Sequence, residues 1–336
     1  MSERVKIVIL NWNGRAYLER FLPSVLARSG GVPVVVADNG STDDSLAFLQ
    51  ATYPQVEIVS LGRNYGFAEG YNLALKQIAA DYFLLLNSDI EVTPGWLDPL
   101  VRALDEDPSV AAVSPKIRSY RDPSQFEYAG ASGGFIDFLG YPFCRGRILD
   151  SIEADDGQYD DARDVFWASG ACMLVRSDVF GRLGGFDGDF FAHMEEIDFC
   201  WRARLAGYRI RVEPASYVLH VGGGTLPNNN PQKIYLNFRN NLSMLFKNLS
   251  PVAFWPVLFA RMALDGVAAF VFLLQGRPDF FRKVFVAHMD FHRQRKSLHE
   301  KRRRIQRSRV ARPYGIYRGS IVLMHMLGLR KFGRMM

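Results

Sequence analysis

Three carboxylates fall within four residues of the run His193-Met194-Glu195-Glu196-Ile197-Asp198-Phe199-Cys200-Trp201-Arg202. At a helix start they suit the positive end of the macrodipole. Crowded together they also raise one another's pKa, toward the range of a general base. His220 stands at a strand end in Val218-Leu219-His220-Val221-Gly222-Gly223-Gly224, exposed enough to ligate a metal. Asn87-Ser88-Asp89 directly follows the apolar run Phe83-Leu84-Leu85-Leu86. A hard divalent cation takes a carboxylate together with phosphate oxygens and water, so Asp89 is a candidate ligand. An Asp ending a strand also serves as a cap.

Two further segments suit a nucleotide. In Asp38-Asn39-Gly40-Ser41-Thr42-Asp43 an Asp at a strand end can accept from a nucleobase N–H or a ribose hydroxyl. Gly40 permits close backbone approach, and the helix start that follows favours anions. A plain turn with an N-cap fits the same residues. In Gly62-Arg63-Asn64-Tyr65-Gly66-Phe67-Ala68-Glu69-Gly70-Tyr71-Asn72, Gly66 and Gly70 let the chain press on a ligand and Arg63 can meet a phosphate; a packed βα loop explains it too. Neither GxGxxG nor GxxxxGK[ST] occurs, so dinucleotide and P-loop readings lose their support.

The elements needed to position these residues are legible. Strands are expected at 5–10, 32–37, 56–60 and 82–86, with Asn11-Trp12-Asn13-Gly14 ending the first. Helical spacing follows at 16–26, after a cap at Ser41 or Thr42, and at 68–79. Near-continuous apolar strands alternating with helices imply an α/β doubly wound, mostly parallel sheet, with its ligand at the C-terminal strand ends. Residues 120–165, rich in Gly, Asp, Ser and Tyr, read as an irregular insertion or mobile loop. Beyond it lie a strand at 165–175, a helix at 195–206, and short strands at 210–212 and 217–221.

The chain has 336 residues, 48% hydrophobic and 23% charged, which excludes disordered and low-complexity classes. Cys144, Cys172 and Cys200 are too few and too far apart for a disulfide framework or a zinc signature, as fits a reducing compartment. The first residues lack the long apolar stretch and cleavage site of a signal peptide. Charge is unevenly spread: residues 1–275 carry a net −8 and residues 276–336 a net +14. Such a tail suits an anionic surface, membrane or nucleic acid, or is a solvated charged helix.

Residues 252–274 are long enough to cross about 30 Å of hydrocarbon. Arg261 and Asp265 interrupt them, placed at i, i+4 so that they can pair, and Pro256 and Gly266 break them further. The expectation is amphipathic helices lying on a membrane, followed by the polybasic Lys301-Arg302-Arg303-Arg304. A helical cap on the catalytic domain is the alternative.

These segments, with W-A-S-G-A-C-M-L and G-G-F-D between them, resemble family 2 inverting glycosyltransferases over about residues 4–250, with the bacterial rhamnosyltransferase-like enzymes of surface-polysaccharide assembly as the nearest subgroup. The resemblance implies a GT-A catalytic domain over 1–250 and a helical, basic, membrane-associating region over 251–336. It implies a nucleotide-sugar donor (UDP-, dTDP- or GDP-linked) held by Asn11, Asn13, Asp38, Asn39, Ser41, Arg63, Asn64, Gly66, Asn87 and Ser88. Asp89, and His220 24 residues after Glu196, would ligate Mg²⁺ or Mn²⁺. Glu196 would be the base, with Glu195 and Asp198 as competitors, because Glu stands where the family usually has Asp. Asn87 likewise replaces the first Asp of D-x-D. Trp167, Gly170 and Trp201 would meet the acceptor, a glycan or lipid-linked glycan, and Phe190-Phe191 could stack on sugar. No nucleic acid is implied, and the expected place is cytoplasmic, peripherally on the inner face of the cell membrane. A nucleotidyltransferase or a non-catalytic nucleotide-sugar binder are the rival readings.

Overall fold

The computed structural model describes residues 4–222, 230–311 and 315–334, so Gly223 and Gly224 lie outside the described residues. The first half alternates as expected: β1 (Val5–Asn11), α1 (Arg15–Arg28), β2 (Val34–Asp38), α2 (Ser45–Thr52), β3 (Glu57–Ser60), α3 (Gly66–Leu75) and β4 (Tyr82–Asn87). β5 (Ile90–Val92), α4 (Leu97–Asp105) and β6 (Val110–Ser119) follow. β1 to β4 are parallel, and their register sets Asn11 beside Asp38, Asp38 beside Ser60, and Leu10 beside Asn87. Their C-terminal ends therefore open along one edge. Side chains alternate across the sheet. Ile7, Ile9, Val36, Leu84 and Leu86 pack with Leu18 and Leu22 of α1 and Leu100 of α4. Val8, Val35, Ala37 and Leu85 pack with Ala68 and Tyr71 of α3 on the other face. Cover on both faces is why these strands are apolar almost throughout.

The rest of the chain comprises β7 (Gly134–Asp137), β8 (Pro142–Cys144), β9 (Arg147–Ile148), β10 (Ser151–Ile152), β11 (Arg163–Asp164), β12 (Cys172–Arg176), α5 (Ser177–Arg182), α6 (Glu195–Leu205) and β13 (Arg209–His220), then α7 (Pro231–Asn248), α8 (Pro251–Leu274), α9 (Pro278–Arg293), α10 (Arg295–Arg307), β14 (Ile316–Tyr317) and α11 (Ile321–Met326). The large sheet runs β11-β13-β6-β12-β4-β1-β2-β3, with β5 against β13 and β12 antiparallel to both its neighbours. The expected irregular insertion is instead a second sheet, β10-β9-β8-β7-β14. Its acidic residues, which suggested a solvated loop, are partners of buried cations. Lys116 Nζ lies 2.9 Å from Asp155 and also meets Asp160, and Arg145 meets Asp161. The two short strands expected at 210–221 are one strand with an irregularity between Glu213 and Tyr217. The helix after Asp38 begins at Ser45 without a cap from Ser41 or Thr42.

The C-terminal region also departs from expectation. α8 is one continuous helix through Pro256 and Gly266, capped by Ser250, whose Oγ accepts from Ala253 N. Arg261 and Asp265 pair at 2.8 Å, both buried. Arg261 also donates to Asn241 Oδ1 (2.5 Å) and lies over the Tyr141 ring. Further on, β14 joins β7, and Phe332 packs among the rings of Phe135, Phe143 and Tyr159. Residue 250 is thus no break in packing, because the chain beyond it fills the same core.

Candidate active site

The edge formed by the ends of β1, β2 and β4 gathers the first group of expected donor residues. Asn11 Nδ2 donates to Asp38 Oδ1 (3.3 Å) and Ser41 Oγ (3.1 Å), and Ser41 N donates to Asp38 Oδ2 (3.1 Å). Asn13, at φ 52°, accepts from Thr42 N at 2.7 Å, while its own N–H donates to Ser41 Oγ at 3.0 Å. Asn39 is buried and serves the neighbouring loop: its Nδ2 donates to Gly66 O and Asn64 Oδ1, and its Oδ1 accepts from Tyr65 N. Asn39 and Asn64 therefore brace the loop at Gly66. Arg63 is exposed over the Tyr65 ring, and its backbone lies so close to Gly40 (φ +74°) that a β-carbon there would collide with it. Ser88 Oγ lies near Gly14 and Asn11 on the same edge.

Asp89 leaves that edge just after β4. Because β13 pairs with β5, His220 arrives opposite Ile90, and His220 Nε2 lies 3.1 Å from Asp89 Oδ1. The other ring nitrogen, Nδ1, is 3.0 Å from Glu127 Oε2. Burial opposes charge on His220, but Asp89 and Glu127 outweigh it and lift its pKa to about 10. A carboxylate beside an imidazole whose far nitrogen is held by a second carboxylate is a usual metal-binding arrangement. The donor set fits a hard divalent cation completed by phosphate oxygens and water. Among the described residues no three His, Cys, Asp or Glu form a full cage. Glu127 was missed from the sequence, since it sits in the stretch read as an irregular loop.

The acidic cluster opens α6, and its three members differ. Asp198 is fully buried and bound by Arg202 Nε (2.8 Å), Lys247 Nζ (2.9 Å) and Asn248 Nδ2 (2.8 Å). It ties α6 to α7, which removes it as a base. Glu195 points inward, and burial together with the charge of Glu196 raises its pKa well above the carboxylate range. Glu196 is less enclosed, and burial raises it to about 7. Gly170 lies alongside, so that a β-carbon there would sit 3.5 Å from Glu196 Cβ, and the next residue, Ala171, accepts from Asn87 N at 2.9 Å. Glu196 is thereby linked to the end of β4.

The segment before α6 is strained. Phe191, His193 and Met194 all have positive φ, 64°, 71° and 72°. For residues other than glycine this costs on the order of 1 kcal/mol or more apiece. Asn240 of α7, fully buried, donates to the carbonyls of Phe190 (2.9 Å), Ala192 (2.9 Å) and His193 (2.8 Å). Arg239 donates to Asp189 O (2.8 Å) and Phe190 O (3.0 Å). At about 1 kcal/mol net per bond, this clamp is of the size needed to hold the strain. Phe191 O in turn accepts from Phe67 N and Ala68 N, joining the segment to the Gly66 loop. Gly66 has φ +78°, and a β-carbon there would meet the Phe191 ring at 2.5 Å. Arg239 and Asn240 carry no sequence signal, being polar residues in an ordinary helix pattern.

Two expected acceptor residues are corrected. Trp167 is buried with its Nε1 donating to Phe135 O at 2.9 Å, and Trp201 is buried edge-on against Phe166. Both are core. Of the expected aromatics Phe190 is also buried, and Phe191 stays exposed beside the Gly66 loop.

The family model Glycosyl transferase family 2 matches residues 6–184. An N-acetylglucosaminyl-diphospho-decaprenol L-rhamnosyltransferase of Mycobacterium tuberculosis is 32% identical over 239 residues, 66% of this chain and 76% of that one. Rhamnosyltransferase WbbL of Escherichia coli is 27% identical over 229 residues, 64% and 83% of the two chains. Among solved structures, S. aureus TarS 1-349 with UDP-GlcNAc superposes with a TM-score of 0.56 at 16% identity, over 97% of this chain and 92% of that one. Mannosyltransferase PcManGT from Pyrobaculum calidifontis, with GDP-Man and Mn²⁺, gives 0.53 at 16% identity, over 92% and 86%. The fold is that of GT-A glycosyltransferases.

Proposed function

The chain belongs to glycosyltransferase family 2, and on that premise we propose that it transfers a hexose, with rhamnose the leading choice, from a nucleotide-sugar donor to a hydroxyl of a glycan or lipid-linked glycan, inverting the anomeric centre. The observation that carries this reading is Glu196. It is a carboxyl lifted to about 7, linked through Gly170 and Ala171 to the strand edge that holds Asn11, Asp38 and Asp89. A base of that pKa is matched to neutral pH. Glu196 would take the proton of the acceptor hydroxyl as its oxygen attacks the anomeric carbon, and the nucleoside diphosphate would leave from the opposite side. Asp38 and Asn11 would accept and fix the nucleoside. Asp89 and His220 would hold Mg²⁺ or Mn²⁺, whose chemistry when bound is to offset charge on the departing diphosphate. Glu127 would orient His220, and Asn240 would hold the carbonyls before Glu196.

The Mycobacterium tuberculosis relative is named for a lipid-linked acceptor, and the C-terminal charge favours an anionic surface. Both support a cytoplasmic enzyme working peripherally on the inner face of the cell membrane in surface-polysaccharide assembly. The test is transfer from UDP-, dTDP- and GDP-sugars to a polyprenyl diphosphate-linked acceptor with Mn²⁺ or Mg²⁺, the product's anomeric configuration being read by NMR. Inverted product supports the proposal. Retained configuration, pyrophosphate release, or tight donor binding without turnover would overturn it.

A further inference from the structure

α8 is built inside out. Its only charged residues, Arg261 and Asp265, face the protein and are sealed there, while its solvent side is apolar. Val252 is 90% exposed, Trp255 70%, Phe259 76%, Phe270 56% and Leu274 72%. At 100° per residue these positions fall on one stripe along the whole helix. α9, the other arm of the hairpin, adds exposed Phe285 (61%), with exposed Arg282 and Arg293 beside it. A contiguous apolar surface of this kind on a folded protein marks a contact surface.

The partner follows from charge and attachment. Residues 276–336 carry a net +14, nearly all of it after α9, and an anionic lipid surface complements that basic segment next to the hairpin, whereas a second copy would bring the same charge to it. A spanning helix needs lipid all round, but α8 is fixed to the body along its length. Phe254 packs on Phe246 at one end, Arg261 bonds Asn241 in the middle, and Phe272 packs on Phe238 and Phe280 at the other end. We infer that the α8–α9 hairpin is a monotopic membrane-docking surface that lays the outer face of α8 flat into one anionic leaflet. This deepens the peripheral placement proposed above and rests on it.

The experiment uses the full chain, vesicles of phosphatidylcholine with or without phosphatidylglycerol, and neither donor nor acceptor, so its outcome is independent of whether the chain transfers sugar. Binding should rise with phosphatidylglycerol content at low salt and persist in part in molar salt, where charges are screened beyond about 3 Å. Phe259→Ser with Phe270→Ser should keep the melting temperature and lower the salt-resistant partition by more than about tenfold. Depth is read with Ala263→Trp in a Trp255→Phe background, using lipids brominated near the headgroup or deep in the chain. Residue 263 is at the middle of α8, so a helix lying flat is quenched more by shallow bromines. Stronger quenching by deep bromines would establish a spanning helix and overturn the inference. So would unchanged partition of the double Ser variant, or a stable dimer that ignores vesicles and is dissolved by the same substitutions.

Discussion

Replacing Glu196 by Gln removes a base while keeping shape and hydrogen-bonding capacity. Burial displaces this carboxyl from 4.5 to about 7, so only about half is ionised at pH 7 and about a tenth at pH 6. In the wild type kcat/KM should rise with pH through about 7 and then level. Glu196→Gln should lose about 10²–10⁴-fold in turnover, flatten that profile, and leave nucleoside diphosphate affinity unchanged by calorimetry. Stability supplies a second readout of opposite sign. A carboxyl whose pKa is raised on folding binds its proton more tightly in the native state, so stability is lost as pH rises from 4.5 through about 7. The displacement corresponds to a loss of about 3 kcal/mol above that window. Glu196→Gln should therefore melt higher than the wild type above pH 7, and the difference should vanish below about pH 4.5. The assay pairs diphosphate release across pH with thermal denaturation at the same pH values. The reasoning collapses if Glu196→Gln retains most of its turnover while Glu195→Gln is inactive, or if the wild-type profile is flat between pH 5.5 and 8, a range about one unit or more either side of the expected midpoint.

Asp89→Ala should abolish Mn²⁺-dependent binding of a nucleoside diphosphate in a chain that still folds, with a lower melting temperature because buried His220 loses a partner, as measured by calorimetry with and without the metal; unchanged metal dependence would take Asp89 out of the site. Asn240→Ala takes a donor from the Ala192 and His193 carbonyls, while Phe190 O keeps Arg239, so kcat should fall about tenfold or more with donor affinity kept, checked by steady-state kinetics. Equal loss of both would show a general structural role instead. Truncation after residue 250 removes Phe291, Leu298 and Phe332 from the core along with Lys301 of α10, a partner of Asp187. The shortened chain should be insoluble or melt far below the full one, and a stable, active 1–250 fragment would contradict the shared core.

The sequence by itself determined the α/β alternation, because an apolar strand covered on both faces has no other simple reading and because Asp38, Asn87 and Asp89 fall where such strands end. It also placed Glu195, Glu196 and Asp198 at one helix start and marked Arg261 and Asp265 as a pair. What it could not distinguish was which carboxylate is free. Asp198 is neutralised by Arg202, four residues on, but also by Lys247 and Asn248 from α7, contacts that span about fifty residues. Glu127 and Asn240 were hidden for the same reason, as each acquires its role only by meeting His220 or the strained 190–194 segment. The acidic residues at 155–161 read as solvated until the fold set Lys116 and Arg145 against them. Local periodicity fixes which face of an element is apolar, but not whether that face meets core or solvent. Trp167 and Trp201 went inward and the stripe of α8 went outward because the neighbours that cover a face come from distant parts of the chain, and only tertiary structure supplies them.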